Sequence, residues 1–350
     1  MRILLTGHSG YIGTVMRQVL RDAGHTVVGL DTGYFQDCTI GPDTPVGPSL
    51  HLDIRDARQA DLRGYDAVVH LAALCNDALG NMNPELTYEI NHRASVRLAA
   101  LAKAAGVARF VFASSCSLYG MGGDGLLAED AKFNPITPYG VAKVLVERDL
   151  QGLADDNFSP TYLRSATAYG FSPRLREDVV VNNLTGSAFA TRKVHIQSDG
   201  TPWRPLVHAR DFSLAFRAAL EAPRELVHNE AFNVGRTTEN YRVREVAEMV
   251  EAAVPGSVVT YAEGGGPDPR CYRVDCSKLE STLPAYKPQW TVAKGIAELV
   301  AAFDRHGFTV DDFNGERYFR IRRIQKLQHD EMLNESMRWV AAPVAATATA

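Results

Sequence analysis

The 350-residue sequence predicts an α/β fold in which one parallel sheet is covered by helices on both faces. The first observation is that short apolar runs alternate with helical patterns through the first half of the chain. The second is a glycine-rich loop, Gly7-His-Ser-Gly10-Tyr-Ile-Gly13, between the first apolar run and the first helical pattern. Together they predict a Rossmann-type, doubly wound parallel sheet, followed by a smaller and more irregular C-terminal region.

The apolar runs predict the strands, and the patterns between them predict the helices. Predicted strands are residues 2–5, 26–30, 67–71, 109–113, 161–163 and 231–234. Predicted helices are residues 11–23, 84–105 and 138–153. Because each predicted strand is short and almost wholly apolar, we expect the sheet to be buried on both faces.

Composition excludes several classes of protein. The hydrophobic fraction of 45% and the charged fraction of 22% are typical of a globular domain, and a formal net charge of −4 gives no reason to expect nucleic-acid binding. The five cysteines lack the spacing of a metal site or of paired disulfides, which predicts reduced thiols in the cytoplasm. The N-terminus runs directly into the first strand, and no apolar run approaches the ~20 residues that span a membrane.

The glycine-rich loop predicts a dinucleotide site. Its three glycines let the backbone turn tightly and approach a pyrophosphate, whose charge lies at the N-terminus of the first helix. Asp31 follows at the end of the second strand, where a carboxylate accepts hydrogen bonds from the adenosine ribose and repels a 2′-phosphate. The sequence therefore predicts NAD rather than NADP as the cofactor.

Two further strand ends extend the predicted cofactor site. Asp53 and Ile54 end the third strand, where a side chain would touch the adenine. His70-Leu71-Ala72-Ala73 ends the fourth strand, where small residues let the dinucleotide lie close. His70 itself is interpreted more readily as a packed strand residue than as a functional one.

Tyr139 and Lys143 stand four residues apart and fall on one face of a predicted helix. Because a neighbouring ammonium favours the phenolate, we expect the pKa of Tyr139 to lie well below its usual value of about 10. A serine pair, Ser114-Ser115, ends the preceding strand. These groups suit the oxidation of an alcohol, in which a hydroxyl proton is removed as a hydride leaves the carbon.

In this order, the motifs resemble the extended short-chain dehydrogenase/reductase family, and within it the nucleotide-sugar epimerases and dehydratases of the UDP-galactose 4-epimerase-like group. The resemblance covers about residues 1–305. It implies that Tyr139 is the catalytic acid/base, that Lys143 binds the nicotinamide ribose and lowers the tyrosine pKa, and that Ser115 hydrogen-bonds the reacting sugar hydroxyl. The cofactor contacts that it implies are Gly7, Gly10, Tyr11, Ile12, Gly13, Asp31, Asp53, Ile54, Leu71, Ala72, Ala73, Asn91, Tyr139 and Lys143.

The residues after Ser115 discriminate between reactions of this family. The sugar 4,6-dehydratases carry an aspartate-glutamate pair there, whereas this chain has Cys116 and Ser117. Small residues at these positions resemble the 4-epimerases. The resemblance therefore favours an NAD-dependent epimerase that oxidises a nucleotide-activated sugar to a keto sugar and returns the hydride. The alternatives are a keto-sugar reductase or sugar dehydrogenase, then a 4,6-dehydratase or decarboxylase, and finally a cofactor-sensing protein without catalysis.

Candidate substrate contacts lie on both sides of the catalytic motif. Arg204 and Arg270 stand where the family places arginines, and planar guanidinium groups suit a diphosphate. Thr167 replaces an asparagine that holds the sugar nucleotide in 4-epimerases. Further candidates are Asn76 in the loop after the fourth strand, Asn183 on a helix after Asp178, and Cys116 and Ser117; Arg164, Arg174 and Arg176 are weaker ones.

The predicted division of the chain follows from these motifs. Residues 1–170 form the NAD-binding domain, to which the chain returns at about 206–235, and residues 171–205 and 236–312 form the substrate-binding region. The resemblance implies a homodimer through the helices at 84–105 and 138–153.

The C-terminal residues lie outside the family pattern. Residues 313–340 alternate apolar and basic residues at helical spacing, which predicts an amphipathic basic helical extension. We expect it to pack on the domain with its charges in solvent; a subunit contact or an anionic ligand are the alternatives. Residues 341–350 are rich in alanine and threonine and are expected to form a disordered tail.

Overall fold

A parallel sheet lies at the centre of the molecule. The computed structural model describes residues 1–42, 47–75, 77–266, 268 and 270–340. Within them the strands are β1 Arg2–Thr6, β2 Thr26–Asp31, β3 Ser49–His51, β4 Ala67–His70, β5 Arg109–Ser115, β6 Met121–Leu127, β7 Ser159–Ser165, β8 Thr167–Tyr169, β9 Lys193–Ile196, β10 Trp203–His208, β11 Ala231–Val234, β12 Asn240–Arg242, β13 Val258–Tyr261 and β14 Cys271–Val274.

Helices connect these strands and cover them. They are α1 Tyr11–Asp22, α2 Asp77–Met82, α3 Pro84–Thr87, α4 Ser95–Ala104, α5 Pro138–Gln151, α6 Val180–Thr191, α7 Ala209–Glu221, α8 Arg224–Val227, α9 Val243–Ala253, α10 Ser277–Thr282, α11 Val292–His306, α12 Val310–Asn314 and α13 Arg320–His329. A π-helical segment, Tyr88–Ala94, joins α3 to α4, so the helix predicted at 84–105 is present with a wider turn in its middle.

The central sheet has seven strands in the order β11-β7-β5-β4-β1-β2-β3, and each neighbouring pair is parallel. The six predicted strands are all in it, which confirms the predicted fold class. The third strand ends at His51, earlier than expected, because Asp53 caps a short 3₁₀ turn by accepting a hydrogen bond from the Arg55 backbone.

Both faces of the sheet are buried, and successive strand residues contribute to opposite faces. Leu4 of β1 packs in a cluster with α4 and α5, whereas Ile3 and Leu5 pack in a second cluster with α1 and α7. Each fully buried aliphatic side chain of this kind contributes roughly 1.5–3 kcal/mol. The two layers therefore fix the carboxyl ends of the strands along one edge.

The smaller region follows β7 and has its own core of α6, α9 and α11 side chains. Three short sheets belong to it or border it: β12-β10-β8, β13-β9 and β14-β6. After β10, α7 packs against α1 and β11 joins the edge of the central sheet beside β7. The smaller region is thus held against the carboxyl edge of that sheet.

The prediction of one basic helix over residues 313–340 is wrong in its extent. Helix α12 ends at Asn314 and α13 spans only Arg320–His329, because Gly315 breaks the pattern and Glu331 adopts a φ of 55°. The charges also do not all lie in solvent, since Arg320 is buried at 1% exposure. The predicted tail at 341–350 lies outside the described residues.

Over the part of the chain that the structure describes, no helix has the length and apolarity needed to cross a membrane. In the same residues, His, Cys, Asp and Glu side chains form no group of three or more that could hold a metal ion.

Candidate active site

A cavity of about 820 Å³ runs along the carboxyl edge of the sheet, between the sheet and the smaller region. This is the edge at which parallel α/β sheets bind ligands. Strand ends supply its floor: the glycine loop after β1, Asp31 of β2, Leu71–Leu74 after β4, Ser114 and Ser115 of β5, and Ser165 of β7.

The glycine loop has no room for side chains at Gly7 and Gly13. Gly7 has a φ of +72°, and a Cβ on Gly13 would lie 2.1 Å from the Gly7 carbonyl oxygen and 2.6 Å from the His8 Cα. Gly10 is the N-cap of α1 and has no side chain that could accept a hydrogen bond from the first backbone N–H groups of the helix. The loop is therefore a cradle for the pyrophosphate of a dinucleotide.

The Asp31 carboxylate, which is predicted to bind the adenosine ribose, is fixed by two backbone hydrogen bonds. It accepts them from the backbone N–H groups of Ser9 (3.0 Å) and Gly33 (2.8 Å). Farther along the cavity, Asp53 pairs with Arg55 at 2.7 Å, and Leu52 and Ile54 add apolar walls. Tyr11 and Ile12 line the loop side, and Leu71, Ala72 and Ala73 line the opposite strand end.

Ser115, Tyr139 and Lys143 come together in the cavity, as predicted. Pro138 and the Thr137 cap, which accepts a hydrogen bond from the Gly140 N–H at 3.2 Å, start α5 immediately before Tyr139. Lys143 lies one turn later, with Nζ 5.4 Å from the centre of the Tyr139 ring. Its ammonium donates to the Ala113 carbonyl at 2.6 Å.

The prediction that the pKa of Tyr139 lies below its usual value is wrong for the protein's own groups. Burial raises the pKa of Tyr139 above its usual value, and the nearby Cys75 and Asp77 add to this, while Ser115 and Arg176 oppose it. Burial lowers the pKa of Lys143 to about 8, against the attraction of Cys75 and Glu147. For each group, burial therefore outweighs the neighbours that oppose it.

A buried ion pair fixes α5 to the sheet beneath this site. Arg164 of β7 bonds Glu147 of α5 at 2.7 Å, with side-chain exposures of 5% and 2%. Ser114 donates to the same carboxylate. Because Glu147 is one turn after Lys143, the pair holds the helix that carries both catalytic candidates.

Two predicted site residues do not line the cavity. Cys116 is fully buried and its thiol points to the Arg164 carbonyl at 3.1 Å, because Ser115 and Ser117 on either side face the cavity. Asn91 is 1% exposed and its amide bonds both the N–H and the carbonyl of Leu74, at 2.8 and 2.9 Å. Asn91 therefore positions the loop after β4. Asn76 lies outside the described residues.

The other substrate candidates reach the cavity. Ser117, Thr167 and Asn183 line it, and so do Arg204 and Arg270. The two arginines share one carboxylate, Asp268, at 2.7 and 2.5 Å, and Arg270 also pairs with Asp77 at 2.6 Å. Both guanidinium groups are thus held in the cavity lining by acidic partners.

Two arginines in the cavity lining were not among the main predicted site residues: Arg176 was a weaker candidate, and Arg320 was not predicted. Arg176 donates to the Cys75 carbonyl at 3.3 Å and pairs with Asp178 at 2.5 Å. Arg320 reaches the same wall from α13. One signal was available: Arg320 stands four residues before Ile324 and seven before Leu327, so it shares the buried face of the helix.

Comparisons with known proteins agree with this geometry. A model of the NAD dependent epimerase/dehydratase family matches residues 3–235. A UDP-glucose 4-epimerase of Mycolicibacterium smegmatis is 31% identical over 326 residues, which is 87% of this chain and 98% of that protein. A UDP-glucose 4-epimerase of Bacillus subtilis is 28% identical over 330 residues, covering 86% and 95% of the two chains.

Solved structures show the same arrangement. MoeE5 in complex with UDP-glucuronic acid and NAD has a TM-score of 0.75 and 28% identity, over 87% of this chain and 99% of that one. UDP-glucose 4-epimerase from Thermotoga maritima with UDP-glucose has a TM-score of 0.75 and 26% identity, with the same coverage of 87% and 99%. A dTDP-glucose 4,6-dehydratase from Streptomyces venezuelae, at 24% identity and a TM-score of 0.76, shares the fold.

Proposed function

The chain belongs to the NAD dependent epimerase/dehydratase family and is an NAD-dependent enzyme of the extended short-chain dehydrogenase type, and from this we propose that it epimerises a nucleotide-activated sugar. The choice of epimerisation over elimination rests on Ser117. This residue faces the cavity beside Ser115, at a position where elimination would need an acidic side chain. Of the described residues, the acids that line this end of the cavity each bond an arginine: Asp77 and Asp268 bond Arg270, and Asp178 bonds Arg176.

The proposed roles follow from the positions of the side chains. Tyr139, in the phenolate form that the positive charges of Lys143 and of bound NAD would favour, accepts the proton of one sugar hydroxyl and later returns it, and Ser115 hydrogen-bonds that hydroxyl. Lys143 supplies a positive charge beside the Tyr139 ring and holds the nicotinamide ribose. NAD, when bound, supplies the hydride acceptor and donor. No second acid or base is needed, since the proton that Tyr139 takes from the hydroxyl returns to the same oxygen when the hydride returns to the carbon.

The sugar nucleotide is proposed to lie across the other end of the cavity. Arg204 and Arg270 would contact its diphosphate, and Thr167, Asn183 and Ser117 its sugar or phosphate. The 4-epimerase names of two relatives and the UDP-sugars in two similar structures support UDP-hexoses as the first substrates to test. In this arrangement residues 1–170 with 206–235 hold NAD, and residues 171–205 with 236–312 hold the substrate.

A second candidate is elimination, which one observation favours. Asp77 is a carboxylate whose charge acts on Tyr139, so it lies near the reacting groups. Its carboxylate is already bonded to Arg270 at 2.6 Å, which is why epimerisation is preferred.

One experiment separates these reactions. The purified enzyme is incubated with UDP-, dTDP-, GDP- and CDP-sugars, and product mass, sugar stereochemistry and absorbance at 340 nm are followed. Epimerisation gives unchanged mass, inverted stereochemistry and no net NADH. A loss of ~18 Da would establish dehydration, and stoichiometric NADH formation or consumption would establish an oxidoreductase; either result would overturn the proposal.

We also propose a cytoplasmic homodimer. Helix α5 and the Tyr88–Ala94 segment lie side by side, joined by His92 and Asp149 at 2.6 Å, and so present one continuous helical face. The five free cysteines support a reducing compartment. Analytical ultracentrifugation of the purified protein tests the dimer; a single species at the monomer mass would contradict it.

A further inference from the structure

Arg320 is a buried cation in the wall of the cofactor cavity. It is 1% exposed, although it belongs to a strongly basic helix, α13. Its guanidinium lies 4.4 Å from the centre of the Phe35 ring, and Nη2 donates to the Arg174 carbonyl at 2.9 Å. The cavity lining includes Arg320 together with Ile321 and Ile324 of the same helix.

The described residues offer no bonded anion to balance the charge of Arg320. Among them, Nη1 is buried without a hydrogen-bond partner, and no carboxylate forms an ion pair with Arg320. The acid that favours its charged form most is Asp178, but Asp178 bonds Arg176, whose own charge acts against Arg320. A buried cation without a bonded anion is costly, so an anionic ligand in the cavity would be strongly favoured here.

The position of Arg320 indicates which anion this is. On one side it stacks on Phe35, four residues after Asp31 at the adenosine end. On the other side, Cys75 and Arg176 interact electrostatically with Arg320. The same two residues interact electrostatically with Tyr139 at the catalytic end. The Arg174 whose carbonyl it bonds has a side chain that acts on His8 of the glycine loop. Arg320 therefore lines the cavity between its adenosine end and its catalytic end.

We propose that Arg320 binds the pyrophosphate of NAD, as a cation that the C-terminal segment adds to the backbone cradle of the glycine loop. The residues that bind the pyrophosphate would then come from both ends of the chain. A guanidinium fork suits two adjacent phosphates, because its N–H groups can reach oxygens of both. This proposal rests on NAD as the cofactor and does not depend on which sugar reaction follows.

The C-terminal segment is anchored so that Arg320 is held in this position. Trp339 donates to the Thr32 carbonyl at 2.7 Å, and Arg323 pairs with Asp37 at 2.6 Å, both on the loop after β2. On the other side, the Glu177 backbone N–H donates to the Tyr318 carbonyl at 2.9 Å. Residues 318–339 thus join the adenosine loop to the 174–178 loop, and Arg320 is preorganised between them.

Binding of cofactor fragments to the NAD-free enzyme tests the proposal. We expect Arg320→Met to weaken NAD and ADP by about 10- to 100-fold in Kd, as measured by calorimetry, because a charge-assisted contact is lost. Adenosine, which lacks the phosphates, should bind within about twofold of its wild-type affinity. Equal losses for ADP and adenosine, or no loss for either, would overturn the proposal.

Matched variants exclude a merely structural role. Arg322→Met removes a charge from the exposed face of the same helix and should leave ADP and NAD affinities unchanged. Thermal unfolding of NAD-free Arg320→Met should occur at the wild-type temperature or higher, since an uncompensated buried charge is removed. If Arg320→Met does not fold, Arg320→Lys keeps the charge without the fork and should weaken ADP by a smaller factor; wild-type affinity there would overturn the proposal.

The same titrations distinguish a substrate anion from the cofactor. If Arg320→Met weakens UDP but not ADP, the guanidinium serves the sugar nucleotide and the proposal is wrong. Because none of these measurements needs turnover, they give the same answer whether the enzyme proves to be an epimerase, a dehydratase or an oxidoreductase.

Discussion

The ammonium of Lys143 lies 5.4 Å from the centre of the Tyr139 ring and donates a hydrogen bond to the Ala113 carbonyl. Lys143 is therefore tied to β5, and it acts on Tyr139 as a nearby charge. This geometry separates two roles that the sequence motif suggests together. In the proposed mechanism Tyr139 exchanges a proton, and Lys143 is a fixed cation that the sheet holds in place.

Tyr139→Phe should abolish turnover while leaving NAD bound. The phenylalanine keeps the ring beside Lys143 but removes the only group of the trio placed to exchange the proton, so kcat should fall by about 10²- to 10⁴-fold. Turnover of a UDP-sugar, followed by product stereochemistry, measures the loss, and the NAD content of the purified variant measures cofactor retention.

Tyr261→Phe is the matched control, since Tyr261 is 52% exposed and is not among the cavity residues. It should turn over at the wild-type rate. If Tyr139→Phe retained more than about a tenth of wild-type kcat, the assignment of Tyr139 as acid/base would be wrong.

Lys143 should make the enzyme more stable as the pH rises above neutrality. Burial lowers its pKa in the folded state to about 8, whereas an unfolded lysine titrates near its ordinary value of 10.5. Between these values the unfolded chain holds a proton that the folded chain has released, so the free energy of unfolding rises with pH. From about pH 7.5 to about pH 9.5 the contribution is on the order of 1–2 kcal/mol.

Urea unfolding of wild type and Lys143→Met at a series of pH values isolates this contribution, because other titrating groups are common to both proteins. The difference in unfolding free energy, wild type minus variant, should increase across the window. A difference that stays flat or falls with pH would show that the buried ammonium keeps an ordinary pKa.

The Glu147–Arg164 pair should be a large contributor to stability. Glu147→Gln leaves a guanidinium of 5% exposure without its anionic partner, which costs about 3–5 kcal/mol in buried pairs. Urea unfolding at neutral pH measures the loss. Because Glu147 is on α5 one turn after Lys143, we also expect a lower kcat even where the variant is fully folded.

An exposed pair on the same helix provides the comparison. Arg148 bonds Asp149 at 2.8 Å with a side-chain exposure of 64%, so Arg148→Gln should cost less than about 1 kcal/mol. The double variant Glu147→Met with Arg164→Met should recover part of the loss, since no lone charge stays buried. Additive losses in the double variant would contradict this account.

The fold and the cofactor loop were predictable because their signals are local. An apolar run, a glycine that must accept φ +72°, and a carboxylate at a strand end each act through their immediate neighbours in the chain. The same holds for Tyr139 and Lys143, whose helical spacing alone places them on one face. For these features, sequence distance is a good measure of distance in space.

The errors concern residues whose surroundings come from distant parts of the chain. Asn91 has the residue type of a cofactor ligand, but its amide is used by the Leu74 backbone. The pKa of Tyr139 depends on total burial, which no spacing reveals. Arg320 stands between Arg317 and Arg322 in the sequence, and only its packing against Phe35 distinguishes it from them as a buried residue. Tertiary packing therefore decided each case.

Gly13→Ala should impair NAD binding more than any other single-methyl change in the loop. The added Cβ would lie 2.1 Å from the Gly7 carbonyl oxygen and 2.6 Å from the His8 Cα, both backbone atoms that cannot move without opening the phosphate cradle. Overpacking of this kind costs typically about 1–3 kcal/mol, which corresponds to a roughly 5- to 150-fold weaker Kd for NAD if it falls on the binding conformation. Gly125→Ala is the matched control, since its Cβ would meet no atom within 4 Å. NAD titration of both variants checks the prediction, and equal Kd values would mean that the cradle is not where the pyrophosphate binds.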